Sequence, residues 1–276
     1  MWYRIVAVVV MSIVAAGCQG TTSSGKAPDG VVITAAALPE TVNTVSLVNL
    51  QPGPLVWGDI VTTPNVPEAE WDWSEADALF TAAEAADVTV IVTLWPYALW
   101  DQASCHGDWP TLFSLHGDQF TAPYMPCDTA AYAAWVKAAA QRYGDRVAAW
   151  QIMRYPEQQT EPLAYFQGGA EYYVEIVRLS TAAITAVIPN ATIVSATIGQ
   201  PTAETITFWG PVFEQDSAQF FTALMVFADT PEQLTSTNTW LERYNSTLPQ
   251  WVTTTTVEQA ATFVDAVKVF YTETND

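Results

Sequence analysis

Four carboxylates in this chain stand where a pair of them could do proton-transfer or nucleophilic chemistry. Glu157 follows the apolar run 147–153, Asp229 and Glu232 follow 220–227, and Glu258 follows 250–254. One carboxyl group kept protonated beside one kept ionised can divide the work of acid and base, or pair an acid with a nucleophile. Each residue also has a plainer explanation. Glu258 falls in the first turn of a helix-like segment, where the helix dipole favours a negative side chain. Glu157 sits in a polar, proline-containing loop, where solvation alone accounts for an acid. If extended, that loop puts Glu157 on the same side as Tyr155, about 6 to 7 Å farther along.

Such groups act together only when rigid elements hold them, and strand and helix signals alternate along most of the chain. Helix 75–86 opens at Ser74, which predicts an N-cap, with Asp77 three residues on in a near capping box. The β-branched run 88–94 suits a strand buried on both faces. Helix 130–143 and the turn 143–146 lead into strand 147–153. Helix 170–187 stops at Pro189-Asn190, and strand 192–197 follows. Segment 220–227 predicts a further strand, 234–244 its helix, and 250–254 another strand. Alternation of this kind predicts an α/β protein with a (β/α)8 TIM-barrel-like fold, whose reactive residues gather at the strand C-terminal ends. Either 31–36 or 42–50 must supply the first strand. Segment 257–271 reads as helix-like and leaves no apolar run for an eighth strand, so the expected barrel is incomplete.

Residues 150–157, Trp-Gln-Ile-Met-Arg-Tyr-Pro-Glu, tie this pattern to a family. They resemble the fourth β/α unit of clan A glycoside hydrolases, whose strand typically ends Trp-x-x-x-Asn-Glu-Pro. Trp150 and Pro156 match, Arg154 stands at the Asn position, and Tyr155 stands at the acid/base Glu. Trp57-Gly58-Asp59-Ile60 and 70–77 resemble the second strand, loop and helix start. Pro249-Gln250-Trp251-Val252-Thr253-Thr254 resembles Pro-x-Trp-x-Thr-Glu, with Thr254 at the nucleophile position. The resemblance spans roughly 54–270 and implies the barrel.

It also implies that both catalytic carboxylates are gone. A retaining glycosidase needs an acid and a carboxylate about 5 Å apart. A phenol of ordinary pKa near 10 is a poor acid at neutral pH, and a threonine without an adjacent base is a weak nucleophile. No arginine lies between Thr41 and Trp57 and no histidine between Phe220 and Pro231, where the family orients its nucleophile and contacts sugar. The fallback is a relocated pair, Glu157 with Asp229, Glu232 or Glu258.

Arg4, an apolar run 5–16 and Ala15-Ala16-Gly17-Cys18 read as an export signal ending in a lipobox-like cleavage site. The expectation is a signal peptide 1–17, lipid on Cys18, a flexible linker 18–30 rich in Gly, Ser and Thr, and one domain over 31–276. This places the protein in a bacterial cell envelope, held to the membrane through Cys18. Cys105 and Cys127 then remain, and export makes a disulfide between them the expected state. A metal site from His106, His116 and these cysteines is not expected, because the spacing fits no compact zinc pattern and oxidised sulfur does not ligate. No cofactor is expected. A formal charge of −20 with nine basic residues argues against nucleic acid, whose phosphates need clustered Lys and Arg.

Twelve tryptophans remain to be explained. Aromatic faces stack on sugar rings, which makes Trp57, Trp95, Trp100 and Trp109, with Arg154 and Tyr155, the candidate ligand contacts. Core packing is the competing explanation for Trp57, Trp95, Trp150 and Trp251, so Trp100 and Trp109 are the better candidates. Three functions fit: a carbohydrate-binding, glycosidase-like lipoprotein without catalysis; an active glycoside hydrolase with relocated carboxylates; or a structural or partner-binding envelope protein.

Overall fold

The computed structural model describes residues 55–85, 90–106, 112–113, 119–120, 124–158, 166–215, 217–244, 246–254 and 268–271. Seven strands among them run parallel and side by side. Strand β1 (Leu55–Val56) pairs with β2 (Val90–Trp95), β2 with β5 (Val147–Ile152), and β5 with β6 (Ile193–Val194). Strand β7 (Leu224–Phe227) pairs with β8 (Gln250–Thr254), and β8 with β9 (Lys268–Tyr271). Parallel bridges from Val194 to Ala223 and from Ile198 to Val226 join the two groups. The small antiparallel pair β3 (Leu112–Phe113) and β4 (Gln119–Phe120) lies apart from this arc.

Helices return the chain between strands, as parallel pairing demands. They are α1 (Trp57–Ile60), α2 (Ser74–Ala85), α3 (Leu99–Cys105), α4 (Thr129–Tyr143), α5 (Ala170–Thr185), α6 (Ala203–Glu214) and α7 (Pro231–Leu241). Their starts are chemically marked. Asp128 accepts from the Ala131 amide at 2.9 Å, Thr202 from Thr205 and Thr230 from Gln233, and Pro231 takes the first-turn position that needs no N–H donor.

Period-two alternation divides the buried side chains into two layers. Val90, Val92 and Leu94 of β2 join a large cluster with Phe80, Trp135, Tyr143, Ile176 and Trp209 from the helices. Ile91, Ala149, Val194, Ala223, Met225 and Trp251 form a second cluster drawn from strands and strand ends alone. A cluster with no helical member is the inside of the barrel, so its lower half is filled by apolar side chains.

Several sequence expectations change. The helix-like reading of 257–271 is corrected at its end, where Lys268–Tyr271 is a parallel strand beside β8, in the place where no eighth strand was expected. Period 3.6 and period 2 are hard to separate over so short a segment, and a parallel neighbour decided it. The segments 31–36 and 42–50, read as alternative first strands, lie outside the described residues. Ser74 is not the cap of its helix but its first residue: Asp72 Oδ1 accepts from the Ser74 amide at 3.0 Å. Asp77 does not reciprocate a cap either, since Arg142 holds it with two hydrogen bonds.

Candidate functional site

The loop after β5 carries the residues singled out above, and its backbone turns sharply. Met153 has φ 62° and Tyr155 φ 45°, both in the left-handed region that costs a non-glycine residue about 1 kcal/mol or more. The turn leaves Tyr155 half-buried, with the buried Arg154 guanidinium 5.4 Å from its ring centroid. It also drives Glu157 inward.

Only 3% of Glu157 is exposed. Its Oε1 accepts from the Gly199 amide at 3.0 Å, while Oε2 has no hydrogen-bond partner among the described residues. Burial is the main reason its carboxyl is pushed up to about 7, and the charge of Glu204 adds to the rise. Its own amide, the Gly199 amide and the Trp209 indole oppose that rise. The Trp209 N–H lies near enough to favour the charged form without closing a hydrogen bond. The Tyr173 phenol on α5 is raised chiefly by its own burial, and the charge of Glu157 adds to that rise.

Among the described residues, a neutral hydrogen-bonded set lies in the upper barrel interior. Thr93 Oγ1 donates to Gln151 Oε1 at 2.9 Å, and Gln151 Nε2 donates to Ser195 O and Thr197 Oγ1, each at 3.2 Å. Thr253, 3% exposed, shares its strand face with Trp251 of the inner cluster. Thr254, the residue matched to a nucleophile, pairs with Tyr271, and its side chain lies outside the described set. Asp229 is half-buried, with its amide bonded to Gln233 Oε1 at 2.7 Å. Glu232 is exposed in the first turn of α7, where the helix dipole accounts for it. Glu258 lies outside the described residues.

The tryptophans separate by burial. Trp57 and Trp95, expected among the stacking candidates, are corrected: they are 0% and 2% exposed and offer no face to a ligand. Trp57 packs in the strand–helix core against Tyr132 and Trp100, with ring centroids 5.6 and 5.0 Å away. Trp100 is half-buried at the rim, and its Nε1 donates to Val61 O at 2.6 Å. Trp109 lies outside the described residues, as does His116.

Trp100 borders a recess of about 300 Å³ between the C-terminal ends of β1 and β2, with Gly58, Asp59, Thr62, Tyr97 and Leu99 around it. Gly58 lets α1 lie close against the segment that follows β2. A Cβ there would come within 2.8 Å of Ala98 Cα, and the Gly58 amide donates to Tyr97 O at 2.6 Å. A larger, shallow depression lies beside the helices, between Trp71, Trp73 and Arg142, where the guanidinium sits over the Trp73 ring.

Cys105 and Cys127 are disulfide-bonded, as the sequence predicts, with Cα atoms 5.9 Å apart. His106 approaches the two sulfurs, yet sulfurs bonded to each other do not ligate a metal, and His106 Nε2 is 3.0 Å from Met125 O. Sequence reading missed the clamp beside this bond. Asp101, 1% exposed, accepts from the Cys127 and Asp128 amides at 2.8 Å each, and Gln102 Oε1 accepts from the Tyr124 amide. An Asp-Gln pair at the start of a helix was the available signal.

No family model and no curated protein matches the chain. Solved structures do match. A glucosidase from Croceicoccus marinus aligns at TM-score 0.59 and 11% identity, over 91% of this chain and 60% of its own. A family 39 glycoside hydrolase from Bacteroides cellulosilyticus aligns at 0.53 and 16%, over 84% and 51%. An endo-1,4-β-xylanase from Penicillium canescens aligns at 0.51 and 13%, over 84% and 74%. The chain spans between half and three fifths of the first two. At these identities the likeness is one of fold, and the fold is that of TIM-barrel glycoside hydrolases.

Proposed function

We propose that this protein is a glycosidase-like envelope lipoprotein that binds carbohydrate at its barrel mouth without cleaving it. One observation carries the reading: Tyr155 holds the position matched to the acid/base, and the described inward side chains Thr93, Gln151, Thr197 and Thr253 bring no carboxylate to the upper barrel interior. Removing both carboxylates abolishes acid assistance and covalent attack together. Stacking on Trp100 needs neither. Lipid on Cys18 and export to the cell envelope complete the proposal, with the motif at 15–18 as their support.

Assays with aryl β-glycosides across pH should release no phenol, whereas an oligosaccharide should bind in the micromolar range and Trp100→Ala should abolish that binding. Mass spectrometry of the mature N-terminus checks the lipid on Cys18.

A second reading, hydrolysis by relocated carboxylates, has one observation in its favour. A carboxyl pushed up to about 7 is poised as a general acid. Against it stands the enclosure of Glu157 under Gly199 and α6. Turnover that disappears in Glu157→Gln would establish this second mechanism and end the first.

A further inference from the structure

The recess between β1 and β2 carries a charge pattern that a neutral sugar would leave unanswered. Asp59 stands on its wall, and although much of the residue is open to solvent, its carboxyl is raised above the ordinary carboxylate range. Surrounding protein atoms are the larger cause, and the charge of Glu75 on α2 is the second. No lysine or arginine is among the residues lining the recess. Two neighbouring like charges, in a chain of net charge −20, draw cations toward this part of the rim.

The recess walls add shape to that charge. Trp100 is held by its hydrogen bond to Val61 O and by an edge contact with Trp57, ring centroids 5.0 Å apart. A platform already fixed in orientation loses little freedom when a ring settles on it. Leu99, 58% exposed, extends the apolar surface, and Tyr97 offers a second aromatic side chain. A volume of about 300 Å³ lies at the small end of ligand pockets and suits one sugar ring with its neighbours in solvent.

Building on the carbohydrate-binding reading, we propose that the recess selects an amino sugar, with a pyranose face against Trp100 and its ammonium group directed to Asp59. Charge pairing and the attraction of a cation to the nearby aromatic faces act in the same direction. The chemical class is an oligosaccharide of hexosamine rings whose amines are free.

The test uses the full chain and four probes of similar size: a β-1,4-linked glucosamine trimer, its fully N-acetylated counterpart, cellotriose, and spermidine as a ringless trication. Titration calorimetry at about pH 6.5 and low salt keeps the amines charged. The glucosamine trimer should bind about five- to tenfold tighter than each of the other three, the size of one partly screened charge contact with a cation–π component. That preference should vanish in Asp59→Asn and shrink for the native protein as salt is raised.

Equal affinity for the three trisaccharides overturns the amino-sugar inference and leaves the carbohydrate reading standing. Binding of spermidine as tight as that of the glucosamine trimer also overturns it, because charge alone would then suffice. No binding of any trisaccharide overturns both readings. A preference that persists in Asp59→Asn, with an unchanged urea midpoint, overturns the role of Asp59.

Discussion

Burial of Glu157, with no hydrogen-bond partner for Oε2 among the described residues, makes the stability of the fold depend on its protonation. Its pKa is about 7 when folded, against 4.5 for the free side chain, so the folded protein binds this proton more tightly than the unfolded chain does. Stability therefore falls as pH rises from about 4.5 through 7, and the cost is complete above that window. A shift of this size corresponds to about 3 kcal/mol. Urea midpoints of the native protein should fall between about pH 5 and pH 8, whereas Glu157→Gln should largely remove that slope. An unchanged slope in the variant would show that another group titrates. Tyr155 presents the opposite case, since its strain is in the backbone. Tyr155→Gly should recover up to about 1 kcal/mol at φ 45°, offset by the lost contact with Arg154.

Helix α3 and the segment 124–128 behave as one element, because the disulfide, Asp101 and Gln102 all tie them together. Asp101→Ala would take the acceptor from the Cys127 and Asp128 amides at a part-buried site and should cost about 1 to 3 kcal/mol. The Cys105→Ser, Cys127→Ser pair removes a closure over 22 residues and should cost about 3 kcal/mol by the chain-entropy argument. Denaturant titrations of both variants check these magnitudes. The Asp101 clamp also predicts that dithiothreitol reduces the exposed Cys105 without unfolding the protein, read as an unchanged near-ultraviolet circular dichroism spectrum. Loss of that spectrum on reduction would show that the covalent bond, and not the buried carboxylate, holds the segment.

At the scale of the molecule, the barrel is shared with glycoside hydrolases of known structure, and the proposal is that their reaction chemistry is not. The inner face offers a direct experiment on that point. Tyr155→Glu with Thr254→Glu restores carboxylates at the matched sequence positions, while Tyr155→Glu with Thr253→Glu places the second one on the face that Trp251 shares with the inner cluster. Slow hydrolysis of aryl β-glycosides is expected from the Thr253 pair if either gains it, because strand alternation decides which side chains reach the interior. Gain by the Thr254 pair alone would mean that the strand end departs from that alternation.

Alternating strand and helix signals, the Trp150 motif and the cysteine count determined the barrel class, the parallel strands and the disulfide, because periodicity and covalent bookkeeping are local properties of a chain. The strand Lys268–Tyr271 was not legible, since its apolar residues acquire a period only beside β8. The ranking of the tryptophans was partly legible, because core packing already competed for Trp57 and Trp95 and favoured Trp100 as a ligand contact; the structure encloses the first two and leaves Trp100 half-buried at the rim. The fates of the acidic candidates were not legible. Glu157 follows its strand like any loop acid, and only the left-handed turns at Met153 and Tyr155 carry it under Gly199 into a place where burial raises its pKa. The role proposed for Asp59 was hidden in the same way: Gly58 lets α1 approach the segment after β2, which brings Asp59 and Trp100 to one recess, and desolvation is a property of that neighbourhood and of no single residue.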